Sequence, residues 1–492
     1  MATRAKYDLV VVGSGFAGCM TVLNFLEQCE REKRDGKVAL VEVGKEGERS
    51  GASKWTMAYL RLDKDLNFDE DWVKEMRLLK DEAPISARYL EEHGVKFVHH
   101  DEPNVLLEFK TGQHFVFPEG GGCAIIFKLF EHINKYKNCD VIYETEANKL
   151  LVDDEGAIRG VKVRKNDGLL HELLAPNVML ACGGFEGNQE YVGRDTHKLP
   201  LIAPGLKYNK GAGLKMALDV GADTAGSFDG MHCELVDTRA TKPDAVIWGH
   251  NYGIVVNKEC QRFYDEGKRH LFATFEMIAL ECWKDQDMSC FFVTDDVIWE
   301  KFRGSWVYDT TDQPPEKADT IEELAVKLKL NPQALKRTVH EFNAAVNDRD
   351  FDLLKLDGKA TTGLKPDKTN WAMKIEKAPF YGYPMTPNLT FTYGGLKTDL
   401  HARVLSTHGA PIPGLWAAGE LTGLFYNEYP PATSCLRSMT FGRLAGKEIA
   451  ENLGKSHGTV QGVPIHAEMG HKKSHSVMMS DPQLSAEAQV AA

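Results

Sequence analysis

Three glycines and one glutamate near the N-terminus have types and spacing that could serve redox chemistry. Gly13, Gly15 and Gly18 form a G-x-G-x-x-G pattern, and Glu42 follows 24 residues after Gly18. In such a pattern the first glycine permits a tight turn, the second lets the backbone approach a pyrophosphate, and the third allows close helix packing. The acid accepts hydrogen bonds from a ribose diol. These residues predict a dinucleotide site, and the pattern alone does not separate FAD from NAD.

The segments around these residues are the elements that such a site needs. Residues 7–12 and 37–43 are short apolar runs that predict two buried parallel strands. Between them, apolar residues recur at helical spacing, so a helix would begin at the glycines. Its free N–H groups and the positive end of its dipole would face the phosphates. The residues predicted to contact the cofactor here are Gly13, Gly15, Phe16, Ala17, Gly18 and Glu42.

Three later segments favour FAD as the cofactor. A small, polar segment at residues 50–54 follows the second strand, and residues 178–182 and 415–418 predict further strands that end in glycines. Each segment alone fits an ordinary strand-to-turn junction. Repeated glycine ends at one edge of a sheet suit a long, extended cofactor. The residues predicted to contact FAD here are Gly51, Ala52, Ser53, Gly183, Gly184, Gly419 and Glu420.

Composition limits the possible function classes. The chain has 492 residues, of which 43% are hydrophobic and 26% charged, as is typical of a folded protein of two or more domains. A net charge of −12 argues against nucleic acid as a partner. The sequence shows no apolar run of about 18 residues and no signal-peptide pattern, so we expect a cytoplasmic protein without a transmembrane segment. The ten scattered cysteines predict neither a metal site nor a disulfide framework.

The glycine-containing segments, in this order, resemble those of the flavoprotein family of fumarate reductase and succinate dehydrogenase. Members often carry A-T-G-G-F, P-G-L-(F/W)-A-A-G-E and F-G-R-x-A-G runs, which correspond here to residues 181–185, 413–420 and 441–446. The resemblance covers residues 7–453. The segments that most resemble the tricarballylate dehydrogenase branch are residues 252–257, 262–267, 390–397, 401–405 and 423–430.

The resemblance implies an α/β fold with a Rossmann-like FAD-binding domain, similar to that of glutathione reductase, and an inserted α+β cap domain. The FAD-binding domain would comprise residues 1–225 and 380–454, and the cap, which would cover the substrate, residues 226–379. The polar segment at residues 455–492 is predicted to be a disordered tail.

Two local patterns agree with this division. Short strands predicted at residues 141–143, 149–152 and 158–163 are typical of the side sheet of this fold. Residues 320–346 are polar and largely helical in pattern, as a cap would be.

The implied reaction exchanges hydride between FAD and a carbon–carbon bond next to a carboxylate or carbonyl group. It needs a proton donor or acceptor and a group that stabilises charge on the substrate oxygen. In the dicarboxylate reductases of the family, an arginine shortly after an R-F-x-x-E run donates the proton. Arg269 follows such a run and is the predicted donor, with Lys268 and His270 as alternatives. A solvated charge cluster is the competing interpretation of this segment.

Three further residues are predicted to contact the substrate from the resemblance. His232 lies where the family places a substrate-binding histidine, and Tyr393 lies in the stretch where another is lost. Tyr429 stands where fumarate reductases carry an arginine that binds a carboxylate, and ketosteroid dehydrogenases have a similar tyrosine before proline. A tyrosine could donate one hydrogen bond to a carbonyl or carboxyl oxygen. Arg437 could also meet a carboxylate, and simple packing is the alternative for each residue.

The attachment of the flavin is predicted from the same comparison. The histidine that links covalently to FAD in some members is replaced by residues 54–56, so we expect noncovalent FAD. Ser434, Cys435 and Leu436 match the positions that approach the flavin ring.

The sequence therefore predicts an FAD-dependent oxidoreductase that acts on CH–CH groups. The first hypothesis is a tricarballylate dehydrogenase-like enzyme. The second is the same chemistry on a ketone, as in ketosteroid dehydrogenation or ene-ketone reduction, which the loss of the carboxylate-binding arginine favours. The third is a flavin-binding protein without turnover. The expected partners are a small-molecule substrate and an unidentified electron donor or acceptor, because the sequence shows no iron–sulfur or haem motif.

Overall fold

A computed structural model of the chain describes residues 4–48, 51–68, 77–99, 115–188, 201, 203, 207–242, 245–269, 271–302, 311–353, 355–427 and 429–455. His270, and the predicted tail beyond residue 455, lie outside the described residues. Within these ranges, no helix is long and apolar enough to cross a membrane.

A mostly parallel central sheet forms where the sequence predicted the first strands. Leu9–Val12 pairs in parallel with Val38–Val41 on one side and with Asn177–Leu180 on the other. Every residue of these three strands is buried, because a parallel sheet is covered on both faces. In the described part of the chain, the strand order is Arg403–Leu405, Pro411–Ala417, Asn177–Leu180, Leu9–Val12, Val38–Val41 and Cys139–Ile142.

Two helices cross closely against this sheet and explain the F-G-R-x-A-G run. Helix Phe16–Arg31 begins at the glycine pattern and packs on helix Ser434–Glu451. A side chain at Gly442 or Gly446 would overlap the carbonyl oxygens of Ala17 and Thr21. Only glycine at these two positions lets the helices approach so closely, which fixes the start of the last helix beside the glycine turn.

A second sheet has the strand order Arg4–Lys6, Leu170–Leu174, Ile158–Lys165 and Thr145–Val152. It contains the strands predicted at residues 149–152 and 158–163. The prediction that residues 141–143 also belong to the side sheet is wrong. The observed strand, Cys139–Ile142, pairs in parallel with Val38–Val41 at the edge of the central sheet. Helix Gly121–Ile133 precedes it and provides the crossover that a parallel neighbour requires.

The inserted segment forms a sheet with the strand that follows it. Phe380–Thr392 starts at the predicted return to the FAD-binding domain and pairs with both Met231–Asp237 and Cys290–Asp295. Ile254–Val256 extends this sheet beyond Cys290–Asp295. The sheet thus connects the two predicted domains, and the division between them stays a prediction.

Further elements in the described ranges are helices Ala52–Trp55, Arg77–Glu92, Ala212–Leu218, Leu271–Asp285, Asp296–Lys301, Ile321–Lys327 and Pro332–Ala345, and strands Phe97–His99, Val116–Pro118, Thr224–Ala225, Glu316–Ala318 and Gly395–Leu396.

The helical pattern predicted for residues 320–346 is confirmed, with a break between helices Ile321–Lys327 and Pro332–Ala345. Thr320 and Asn331 cap the two N-termini through their side-chain oxygens, and Pro332 occupies the first turn of the second helix.

Candidate active site

A cavity of about 540 Å³ lies at the carboxyl ends of the central strands. Its volume is within the range of small-molecule and cofactor sites. Ligands of open α/β sheets bind at this edge because the strands end there in loops and helix N-termini. The predicted cofactor residues that line the cavity are Gly13, Gly15, Phe16, Ala17, Glu42, Gly51, Ala52, Ser53, Gly183, Gly419, Glu420, Ser434 and Cys435.

Three predicted cofactor residues lie behind the cavity wall. A side chain at Gly18 would overlap the carbonyl oxygen of Gly13, and one at Gly184 would overlap the Thr392 hydroxyl. Leu436 is fully buried in the core. These residues shape the wall by close packing, and the structure does not place them against a ligand.

The glycine turn has the geometry that a dinucleotide needs. Gly13 has a φ of 102°, which L-residues with a side chain rarely adopt. A side chain at Gly15 would lie 3.0 Å from the Ser53 hydroxyl, which itself accepts a hydrogen bond of 3.1 Å from the Phe16 N–H. The N-cap residue of helix Phe16–Arg31, Gly15, has no side chain to cap the helix, so the N–H groups that follow Phe16 could face phosphate oxygens.

Glu42 is held in position for a ribose. It is buried, and its Oε2 accepts a hydrogen bond of 2.5 Å from the Ser14 hydroxyl, while its Oε1 accepts one of 2.7 Å from the Gly44 N–H. The Ser14 N–H also donates to Oε2 at 3.3 Å, so of about four acceptor sites on the carboxylate one remains for a ribose hydroxyl. The donor and acceptor set at this end of the cavity therefore fits the adenosine and pyrophosphate part of FAD.

Two buried acids, Glu420 and Glu186, lie near each other farther along the cavity. Glu420 accepts a hydrogen bond of 2.8 Å from the Thr392 N–H. Glu186 accepts one of 2.5 Å from Asn209, which lines the cavity with Glu420. Burial, together with the charge of Glu420, raises the pKa of Glu186 well above its ordinary value. Burial beside Glu420 thus disfavours the charged form of Glu186, and the Glu420–Asn209 wall could hold hydroxyl groups of a ligand.

Arg437 places a positive charge in the wall of the cavity. It is 1% exposed, and its Nη1 donates a hydrogen bond of 3.1 Å to the Thr422 carbonyl oxygen. Its guanidinium lies 4.6 Å from the centre of the Phe425 ring, and its Nε has no hydrogen-bond partner in the protein. Burial lowers the pKa of Arg437 to about 10, and the charge of the Glu420 carboxylate offsets part of this effect. The group is charged at neutral pH and could bind an anionic or carbonyl oxygen.

His232 lies in the same cavity, between two carboxylates. Its Nδ1 is 2.7 Å from Glu276 Oε2, and its Nε2 is 3.3 Å from Glu234 Oε1. The side chain is 2% exposed, and burial alone would lower its pKa. The two carboxylates outweigh this effect and raise the pKa of His232 to about 9. The imidazole therefore carries a proton at neutral pH.

Tyr429 packs against His232 in the cavity wall, with 4.7 Å between the ring centres. Its hydroxyl oxygen lies 3.0 Å from the Ser434 hydroxyl and accepts a hydrogen bond of 3.3 Å from the Ser434 N–H. Burial raises the pKa of Tyr429 to about 12, so the hydroxyl keeps its proton at neutral pH. The two predicted substrate residues are thus brought together.

Tyr393 does not line the cavity but supports its wall. Its hydroxyl donates a hydrogen bond of 2.5 Å to Glu276 Oε2, the same oxygen that contacts His232. Glu276 was not singled out from the sequence. The available signal was an acidic residue in the apolar run of helix Leu271–Asp285, where Glu276 is only 9% exposed.

Arg269 is not brought to this cluster. Its side chain is half-buried and does not line the cavity, and its carbonyl oxygen accepts a hydrogen bond of 3.1 Å from Asn251. The preceding R-F-x-x-E run forms a buried ion pair, with 2.5 Å between Arg262 Nη2 and Glu266 Oε2. The geometry assigns this run to the stability of the insert, and the role of Arg269 as a proton donor stays a prediction.

Comparison with known proteins identifies the family. The sequence profile of the family described as FAD binding domain matches residues 8–435. The chain belongs to this FAD-binding family. The predicted FAD cofactor is therefore confirmed.

Relatives within the FAD-binding family support the predicted type of flavoprotein. The NADH:acrylate oxidoreductase of Vibrio harveyi is 30% identical over 67% of this chain and 32% of its own length. The fumarate reductase (cytochrome) of Shewanella frigidimarina is 26% identical over 68% of this chain and 56% of its own length. The chain thus matches only about a third and about half of these relatives. These likenesses agree with the predicted FAD-dependent oxidoreductase of fumarate reductase type, and the activity itself stays a proposal.

A solved structure of a flavocytochrome c3 fumarate reductase in its open conformation shows the same fold. It superposes with a TM-score of 0.72 at 20% identity and covers 92% of this chain and 79% of its own. The predicted α/β fold of an FAD-binding flavoprotein is confirmed. The tricarballylate dehydrogenase branch stays a proposal.

Proposed function

We propose that the protein adds or removes hydride across a carbon–carbon bond next to a carbonyl or carboxylate group. The observation that carries this proposal is the convergence of His232, Tyr429 and Arg437 on the cavity that the FAD glycine turn lines. FAD, when bound, supplies the hydride acceptor or donor. The protein then has to bind the substrate oxygen, hold a proton and exclude water.

Tyr429 and Arg437 suit the substrate oxygen. The Tyr429 hydroxyl is protonated at neutral pH, and its oxygen already accepts a hydrogen bond from the Ser434 N–H, which polarises the O–H group. The Arg437 side chain lines the same cavity and carries a positive charge at neutral pH. Fixed donors in a buried site stabilise charge that builds up on an oxygen, and the loss of one such donor costs about 100- to 1,000-fold in kcat.

His232 suits proton transfer. The carboxylates of Glu276 and Glu234 raise its proton affinity, and the side chain lines the cavity beside Tyr429. The proton on Nε2, whose contact with Glu234 is the longer one, would be the one transferred. An acid with a pKa within a few units of the operating pH transfers protons efficiently. His232 would give its proton to the substrate carbon during reduction and would receive it during dehydrogenation.

Noncovalent binding of FAD is part of the proposal. Trp55 and Thr56, which line the cavity, occupy the region where the resemblance would place the linking histidine. Gly13, Ser53 and Glu42 would hold the adenosine and pyrophosphate part, and Glu420 with Asn209 the chain towards the flavin ring.

The finer identity of the substrate has two candidates. The sequence segments around residues 390–397 and 423–430 favour tricarballylate. The cavity favours a substrate with one carbonyl or carboxylate group, because Arg437 is the sole arginine among its described lining residues, Lys210 is exposed, and Glu234 and Glu276 balance the charge of His232. A tricarboxylate needs several cationic partners when it is buried. A single-acid or ketone substrate is therefore the better supported candidate.

The test uses the purified holoprotein without oxygen. The oxidised protein is mixed with tricarballylate or with a saturated 3-ketosteroid, and the dithionite-reduced protein is mixed with acrylate or an unsaturated ketone. We expect loss or recovery of the oxidised-flavin absorbance with at least one ketone or single acid. Tyr429→Phe, which keeps the ring beside His232, should bind FAD normally and react about 100- to 1,000-fold more slowly. Full activity of Tyr429→Phe on the compound that reacts would contradict the proposal.

A further inference from the structure

The cavity beyond Tyr429 is walled by aromatic rings. Trp248, Phe275, Phe391 and Tyr429 all line it, and none is more than 9% exposed. The centres of Phe275 and Phe391 lie 4.8 and 4.9 Å from that of His232, and the Phe391 and Tyr429 rings meet edge to face at 5.0 Å. Trp248 continues the wall at 5.2 Å from Phe275. Walls of this composition bind flat, apolar groups.

A bulge in the insert sheet adds polar groups to this aromatic wall. The register between strands Met231–Asp237 and Phe380–Thr392 shifts between His232 and Cys233, so Thr390 has no partner across the ladder. The bulge breaks the usual alternation of side chains, and four consecutive residues, from Asn388 to Phe391, line the cavity.

Glu234 is the main hydrogen-bond acceptor at this wall. It lies opposite Asn388 in the sheet, and its side chain is 15% exposed and lines the cavity. Its Oε2 accepts a hydrogen bond of 3.3 Å from the Thr390 hydroxyl, and its Oε1 is 3.3 Å from His232 Nε2. Two long contacts leave acceptor capacity on the carboxylate. This wall therefore favours a ligand that donates a hydrogen bond and disfavours one that brings a second carboxylate.

We propose that the substrate is a flat aromatic compound whose ring carries an O–H or N–H donor and whose conjugated side chain ends in one carboxylate or carbonyl group. The ring would lie among Trp248, Phe275 and Phe391 with its donor towards Glu234, and the side-chain oxygen would lie towards Tyr429. This inference rests on the proposed function. In the reducing direction, bound FAD would supply the hydride for the β-carbon and His232 the proton for the α-carbon, and reduced viologen would supply the two electrons in the assay.

The first measurement is binding to the oxidised holoprotein, in which an unsaturated acid cannot be reduced. Titration with 4-hydroxycinnamate, cinnamate, 4-carboxycinnamate, acrylate and tricarballylate is followed by the shift in flavin absorbance. We expect 4-hydroxycinnamate to bind about 10-fold more tightly than cinnamate, because one hydrogen bond to a charged group contributes about that factor. The ring-free compounds and 4-carboxycinnamate should bind most weakly.

Variants of the wall identify the contact. Glu234→Gln keeps the shape of the side chain and should abolish the preference for 4-hydroxycinnamate over cinnamate. Thr390→Val removes the hydroxyl that donates to Glu234 but leaves the Glu234 carboxylate in place, so this variant should retain the preference. It provides a second readout if Glu234→Gln loses FAD. Glu172→Gln, at an exposed ion pair on the side sheet, is the matched control and should change nothing.

The outcomes separate the two proposals. Tight, ring-dependent binding that needs Glu234, followed by viologen-dependent reduction of 4-hydroxycinnamate, supports both. Reaction with acrylate or tricarballylate, and no stronger binding of the aromatic acids, overturns the aromatic substrate while the proposed function stands. If the flavin neither responds to nor reacts with any compound, the proposed function fails and the substrate class fails with it.

Discussion

Replacement of Glu276 by glutamine tests the charge arrangement at the centre of the site. Glu276 Oε2 contacts both His232 Nδ1 and the Tyr393 hydroxyl, at 2.7 and 2.5 Å. Glutamine has almost the same shape, and its amide oxygen can still accept one of these hydrogen bonds. The substitution therefore removes mainly the negative charge that keeps His232 protonated.

The size of the effect follows from the pKa of His232. A rise from 6.5 to about 9 corresponds to roughly 3 kcal/mol in favour of the protonated form in the folded state. The pKa is higher in the folded than in the unfolded state. This stabilisation is therefore fully present below pH 6.5 and disappears as the pH rises through about 9. Both carboxylates contribute to the rise, so an equal division gives Glu276 roughly 1.5 kcal/mol, and the whole shift of roughly 3 kcal/mol is the upper bound.

The assay is the thermal midpoint of the holoprotein between pH 6 and pH 10. An unfolding entropy of about 2.1 cal/mol/K per residue gives about 1 kcal/mol per degree for a chain of this length. Glu276→Gln should therefore melt about 1.5–3 °C below the parent at pH 6.5, and the difference should shrink towards pH 10. Glu281→Gln, on the same helix and outside the cavity, is the control and should follow the parent. A difference that stays constant with pH would refute the charged state assigned to His232.

Three other predictions concern the cofactor. Gly13→Ala should lose most of its FAD, measured as the flavin-to-protein absorbance ratio, because its Cβ would overlap the Ala181 carbonyl at a φ of 102°. Gly168→Ala, also at positive φ but in open space, should retain FAD. Acid precipitation should release all the flavin into the supernatant, and flavin retained in the pellet would disprove noncovalent binding. Arg437→Met should lower the two-electron potential of the bound flavin by about 30 mV in a dye-equilibration titration, since loss of about 1.4 kcal/mol from the reduced form gives that shift. An unchanged potential would show that Arg437 does not act on the flavin.

The cofactor end of the site was predictable because its signals are local. Gly13, Gly15 and Glu42 depend on one strand–turn–helix–strand unit, in which the backbone conformation itself selects the residue types. The structure places all three in the cavity wall. Gly18 provides the close helix packing that the pattern predicts for its third glycine, and Gly184 packs against Thr392, so neither lines the cavity. A glycine pattern records where the backbone must come close, and it does not say whether the neighbour is a ligand or another segment.

The substrate end was predictable only in part because it is assembled from distant segments. His232 and Tyr429 are almost 200 residues apart in the sequence, yet their rings lie 4.7 Å from each other. Glu276 reaches the site from a helix of the insert, and only its burial in an apolar run could have indicated it. The bulge that brings Thr390 into the cavity depends on the register between two strands, which the sequence does not encode locally.

The R-F-x-x-E run does not by itself indicate a function for the residues that follow it, such as Arg269. Arg262 and Glu266 carry the pattern and satisfy each other as a buried pair, and Glu266 also accepts a hydrogen bond of 2.9 Å from the Val255 N–H. These contacts explain the run without a catalytic role, so they give no support to a proton donor at Arg269. A guanidinium also holds its proton more tightly than an acid whose pKa is about 9, as His232 has here. His232 is therefore the stronger candidate for proton transfer, because it combines a suitable pKa with a place in the cavity wall.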